Sequence, residues 1–133
     1  MKTTFKLFIL ILFLCIGLNE SDAQNQISGR YYFSQSYDGN LNSINRRNTS
    51  FDYLSVSSMQ FPGAPVQLVV SGSRYGTYVS LPNPTSSFVY AGTSNGWHVF
   101  IYYGQQLLIS CDLRTVRHAP APQYGFDEYV ISR

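Results

Sequence analysis

The chain predicts an all-β fold, a small antiparallel sandwich or barrel of about eight short strands. Three observations point there. After Gln24 the apolar residues form short runs of Val, Ile, Tyr, Phe and Thr, broken by Gly, Pro, Asn and Ser. No apolar stripe at the helical period of 3.6 residues recurs in that stretch. Charged residues are only 12% of the chain and aromatics 16%, a composition that folds rather than staying disordered.

The N-terminal segment is set apart first. Lys2 and Lys6 precede and enter an apolar run from Leu7 to Ile16, and Ser21 and Ala23 supply small residues before Gln24. That order reads as a secretory signal peptide over residues 1–23, cut at Ala23/Gln24. The apolar run is well short of the roughly 20 residues a membrane-spanning helix needs, so no membrane anchor is expected. Residues 24–133 then form a single all-β domain, secreted and extracellular, or periplasmic or cell-surface in a bacterial host.

With the leader removed, seven arginines stand against five acids, scattered along the chain, a surplus too small for a nucleic-acid footprint. Cys15 leaves with the leader, so Cys111 is expected to be a free thiol, read as a buried, inert one.

Strands are expected near 29–36, 51–60, 66–71, 74–81, 87–92, 97–103, 106–113 and 126–132. Gly72-Ser73 reads as a type II′ hairpin turn, because Gly accepts positive φ at the first central position. Pairing Ser71 with Arg74 would put Val66, Leu68, Val70, Tyr75, Thr77, Val79 and Leu81 on one core face. Asn95-Gly96 reads as a type I′ turn into the most apolar strand.

The next hairpin offers two registers. One pairs Tyr102 with Leu107, Phe100 with Ile109 and His98 with Cys111. The other pairs Tyr103 with Leu107, Ile101 with Ile109, Val99 with Cys111 and Trp97 with Leu113, and its cleaner apolar face favours it. Residues 37–50 read as an exposed loop or irregular hairpin, and His118-Ala119-Pro120-Ala121-Pro122 as a proline connector.

Candidate chemistry is sparse. His98 beside Cys111 or Asp112 is the nearest approach to a catalytic pair, and is read as a structural histidine, so no enzyme activity is expected. The two histidines and isolated acids lack metal-ligand spacing, and Asp38-Gly39-Asn40 reads as an Asx turn rather than a calcium loop. No cofactor is expected. Asn48-Thr49-Ser50 is an N-glycosylation tripeptide if the host is eukaryotic.

The aromatic load is the distinctive property. All eleven tyrosines lie after the leader, and adjacent ones such as Tyr31-Tyr32 must point to opposite faces of a strand. Outward tyrosines near arginines favour contact with an extracellular protein, glycan or matrix, and Arg30, Tyr31, Arg74, Tyr75, Trp97 and Tyr102 are the candidates. Gly29-Arg30-Tyr31-Tyr32 resembles the Gly-x-Trp opening strand of the lipocalin and avidin barrels, with Tyr31 in place of Trp. That resemblance, over four residues, implies the alternative function: a small-ligand carrier with a lipocalin-like β-barrel lined by Tyr and Phe.

Overall fold

The computed structural model describes residues 27–81 and 87–131. The leader reading of residues 1–23 lies outside them.

Ten antiparallel strands follow one another: β1 (Ser28–Tyr37), β2 (Ser43–Ile44), β3 (Tyr53–Met59), β4 (Gln67–Arg74), β5 (Thr77–Leu81), β6 (Phe88–Ser94), β7 (Trp97–Tyr102), β8 (Gln105–Ser110), β9 (Thr115–Ala119) and β10 (Phe126–Ile131). A 3-10 turn, Pro122–Tyr124, joins the last two. The ring runs β1-β3-β4-β6-β7-β8-β9-β10 and closes where β10 pairs with β1. The all-β expectation therefore holds, as a barrel-like closed ring of eight strands with two side strands, ten in all where about eight were expected. β2 extends β1, and β5 pairs with the far part of β4, whose near part pairs with β6.

Alternation builds the core. Tyr31, Leu54, Val56, Leu68, Val70, Phe88, Phe100, Leu107, Ile109, Val116 and Tyr129 face inward and are buried. Burying each such side chain contributes about 1.5–3 kcal/mol. Gly72 is required where the ring of Phe51 lies on β4, since a β-carbon there would overlap that ring. A bulge in β1 between Phe33 and Gln35 changes which residues face inward. It turns Ser36 into the interior opposite Asp127, an example of a bulge re-aiming a side chain.

Two expected turns move. Gly72-Ser73 lies within β4, and the chain reverses at Tyr75-Gly76, where both residues have positive φ (52° and 79°), as a type I′ turn demands. The slip keeps the faces but carries Tyr75, Thr77 and Val79 past the core, so only Leu81 of the β5 side is buried. The β7–β8 hairpin adopts neither expected register: Tyr102 pairs with Gln105, Phe100 with Leu107 and His98 with Ile109. The favoured register would have buried Ile101 and exposed Phe100, and the structure does the reverse. A one-residue slip exchanges faces, and here burial of Phe100, Leu107 and Ile109 decides it. The Asn95-Gly96 turn forms as expected, with φ of 50° and 86°.

Two strands were not expected. β2 makes the 37–50 segment an irregular hairpin, and β9 takes His118 out of the proline connector and into the core.

Candidate functional site

The outer wall formed by β1, β3, β4 and β5 carries the main cluster. Cross-strand pairing aligns Tyr32 with Tyr53, Tyr53 with Ser73 and Ser73 with Tyr78 in one row. The next row runs Arg30, Ser55, Ser71, Ser80, and the one below it runs Ser28, Ser57, Val69. The result is a floor of small hydroxyl side chains edged by three tyrosines. An open groove of about 450 Å³ follows this floor past Arg30, Ser55, Ser57, Val69 and Ser71.

The tyrosines hold one another. Tyr53 and Tyr78 share a 2.6 Å hydrogen bond between hydroxyls, their rings meeting edge-on, and Tyr32 lies 5.6 Å from Tyr53. The Arg30 guanidinium sits 4.5 Å over the Tyr53 ring. A hydrogen bond with Tyr32 and the charge environment of Tyr53 raise its pKa above the ordinary arginine value. The hydrogen bond with Tyr78 lowers the pKa of Tyr53 and raises that of Tyr78. No carboxylate among the described residues forms an ion pair with Arg30. Tyr78 remains 62% exposed.

The sequence candidates divide. Arg30 belongs to this wall. Tyr31, proposed as an outward contact, is instead a core residue, 1% exposed, with its hydroxyl donating to the Leu113 carbonyl at 2.7 Å. Strand alternation explains the correction: Arg30 and Tyr31 are neighbours, so only one can face out. Tyr102 likewise faces inward and packs partly buried against the core.

Arg74 is committed to the fold, stacking 4.7 Å over Phe51 and donating to the carbonyls of Ser50 and Thr49. Tyr75 stands alone at a hairpin tip, 91% exposed. Trp97 lies on the opposite wall, where the Arg117 guanidinium is 4.2 Å from its ring, 4.5 Å from Phe126 and 3.1 Å from Glu128. The six candidates do not converge.

Cys111 is not a free thiol: the described residues contain none, and Cys111 is disulfide-bonded. Asn48 is exposed in a turn. Asp38 forms the expected Asx turn, accepting from the backbone N–H groups of Asn40 and Asn42 at 2.9 Å each, which hold its carboxyl below the usual range. His98 faces Ile109 rather than Cys111 or Asp112, and its Nδ1 lies 3.2 Å from the Tyr90 hydroxyl. Burial lowers its pKa.

A second polar cluster, missed in the sequence, sits inside one end of the ring. The buried Asp127 carboxylate accepts from Ser36 Oγ (2.6 Å), Ser50 Oγ (2.9 Å) and Arg47 (2.7 Å). Arg47 also donates to the carbonyls of Tyr37, Tyr124 and Phe126. It therefore clamps the 45–50 loop to the start of β10. Beside this clamp His118 enters the core between Phe51 and Phe88.

Compared with known proteins, the chain matches no family model, no curated protein and no solved structure.

Proposed function

We propose that this chain is a secreted, non-catalytic binding protein that holds an extracellular glycan against the wall of β1, β3, β4 and β5. The observation that carries the reading is the solvent-facing set of Tyr32, Tyr53, Tyr78 and Arg30 beside a serine floor. A sugar ring presents apolar C–H faces and a rim of hydroxyls. Tyrosine offers a rigid amphipathic face to the first, while serine and arginine offer hydrogen bonds to the second. Arg30, with no acid paired to it among the described residues, favours a glycan bearing carboxylate groups.

The filled core of the ring favours this reading over an interior carrier. Phe88, Phe100, Leu54, Leu68 and Leu107 occupy the interior and are fully buried. A carrier would need a cavity of about 300 Å³ or more there. Asn48, exposed at its turn, is the position where a eukaryotic host would add its own glycan.

The test is titration with hyaluronan oligomers, and with a neutral β-glucan oligomer as control, followed by tyrosine fluorescence and calorimetry. Hyaluronan is expected to bind more tightly, and Tyr78→Ala or Arg30→Ala to weaken it about tenfold, as truncation of an interface anchor does. Absence of saturable binding to either oligomer, or equal loss on Trp97→Ala, overturns the reading.

A further inference from the structure

β5 is the least supported strand of the outer wall. It pairs with β4 alone, along Val70–Arg74, while β6 takes Gln67 and Leu68 of the same strand. Four of its five residues are exposed. An element with so few buried contacts opens locally at little cost. Beyond the ladder, a side-chain tie reaches from it over β4 to β3.

That tie is the pair Tyr53 and Tyr78. Ser73 stands between them in the cross-strand row, and its short side chain lets the two rings meet above it. The ring centroids are 6.2 Å apart with planes at 70°, and the hydroxyls share a 2.6 Å hydrogen bond. In a phenol the ortho carbons flank the hydroxyl-bearing carbon, so rings that touch through their hydroxyls also bring their ortho positions close. Two other tyrosine contacts differ. Tyr32, 5.6 Å from Tyr53, accepts a hydrogen bond from Arg30 at its hydroxyl. Tyr102 and Tyr103, 4.7 Å apart, adjoin in sequence and tie no two strands together.

We propose that Tyr53 and Tyr78 form a site of oxidative cross-linking, joined by a carbon–carbon bond between their ortho positions when a haem peroxidase acts on the wall with hydrogen peroxide. Each phenol gives up one electron and its hydroxyl proton to become a phenoxyl radical. The two radicals couple at the ortho carbons, and each ring then passes the proton of that carbon to its oxygen, restoring both phenols. In sum, two ortho C–H bonds break and one C–C bond forms, and the two electrons and two protons released reduce one peroxide to two waters. Tyr78 is exposed, so the oxidant reaches the pair from solvent. Holding the rings together makes their coupling effectively unimolecular. Tyr75 is more exposed still, but it stands alone at its hairpin tip, and a radical there has to meet a second molecule. The new bond staples β5 to β3 across β4 and closes a span of 25 residues, restricting the unfolded chain as a disulfide does. It requires nothing of the glycan reading.

The experiment treats the full chain, without any glycan, with a haem peroxidase and hydrogen peroxide. Intact mass, dityrosine fluorescence and peptide mapping follow the product. The expected result is a monomer lighter by two hydrogens, with dityrosine emission per molecule unchanged on dilution and the peptides holding Tyr53 and Tyr78 recovered as one joined species. Tyr78→Phe, at an exposed position where folding does not depend on the hydroxyl, should abolish the monomer emission, and Tyr53→Phe should do the same. Tyr75→Phe should leave it intact. Emission confined to dimers and lost on dilution, joined peptides that hold other tyrosines, or monomer emission that survives Tyr78→Phe overturns the proposal.

Discussion

The two outer walls of the ring carry similar residues and put them to different uses. On the β7–β10 wall, Arg117 is enclosed by Trp97 and Phe126 and pairs with Glu128. On the β1–β5 wall, Arg30 also stacks on an aromatic ring, yet its neighbours are tyrosines and serines, and no acid among the described residues is paired to it. The first arginine is spent within the fold, and the second is left without an ion-pair partner among the described residues. Richness in aromatic and basic residues therefore does not mark a binding face; the number of partners each cation already has does.

The comparison can be broken from its interior. Asp127→Ala leaves Arg47 partly buried without its carboxylate, and this should cost about 3–5 kcal/mol in urea unfolding. Both walls should loosen together, because the cluster joins β1, the 45–50 loop and β10. A loss under about 1 kcal/mol would show that the clamp is peripheral.

Next in size is the effect of acid. His118 has a folded pKa of about 4 against an ordinary 6.5, so the unfolded chain binds the extra proton first. Stability should be full above pH 6.5, fall as pH drops from there to about 4, and level off for this group below that, a loss of about 3 kcal/mol. Asp38, Asp52 and Asp112 have carboxyls held below the usual range, so their contribution is lost only at lower pH. Denaturation midpoints at pH 7 and pH 4.5 measure the difference, and His118→Phe should flatten it.

Arg117→Ala sharpens the contrast between the walls. It removes two ring contacts and an ion pair and should cost about 1–2 kcal/mol while leaving glycan affinity unchanged. Arg30→Ala should give the opposite outcome, an unchanged melting temperature and weakened hyaluronan binding. If both variants behave alike in both assays, the distinction between the walls is void.

Much of the fold was legible because strand alternation and turn residues are local signals. The Asn95-Gly96 turn and the strands on either side of it follow directly from them. The register of β7 on β8 was not, because the cleaner apolar face of Trp97, Val99, Ile101 and Tyr103 favours turning His98 outward, whereas His98 and Phe100 are the residues buried. A buried histidine needs a hydrogen-bond partner, and His98 finds its own only when the neighbouring strand brings Tyr90 beside it. β9 was hidden by the prolines after it and by Arg117 within it, although Val116 and His118 alternate inward as a strand requires.

Of the site, Arg30 was found and Tyr32 was within reach, since the two share a face of β1 two residues apart. Tyr53, Tyr78 and the serine floor depend on pairings among four strands, which no single stretch of sequence encodes. The Asp127 cluster depends further on a bulge, and its Ser36 contact spans 91 residues of chain.

That span governs how the molecule comes into being. β1 finds its closing neighbour only after β10 has been synthesised, so the ring stays open until that strand is available. Rings built from such distant pairings fold slowly, on the order of milliseconds to seconds, and expose unpaired strand edges meanwhile. Until Phe126–Ile131 is available, the two strand edges that close the ring stay unpaired and open to pairing with other chains.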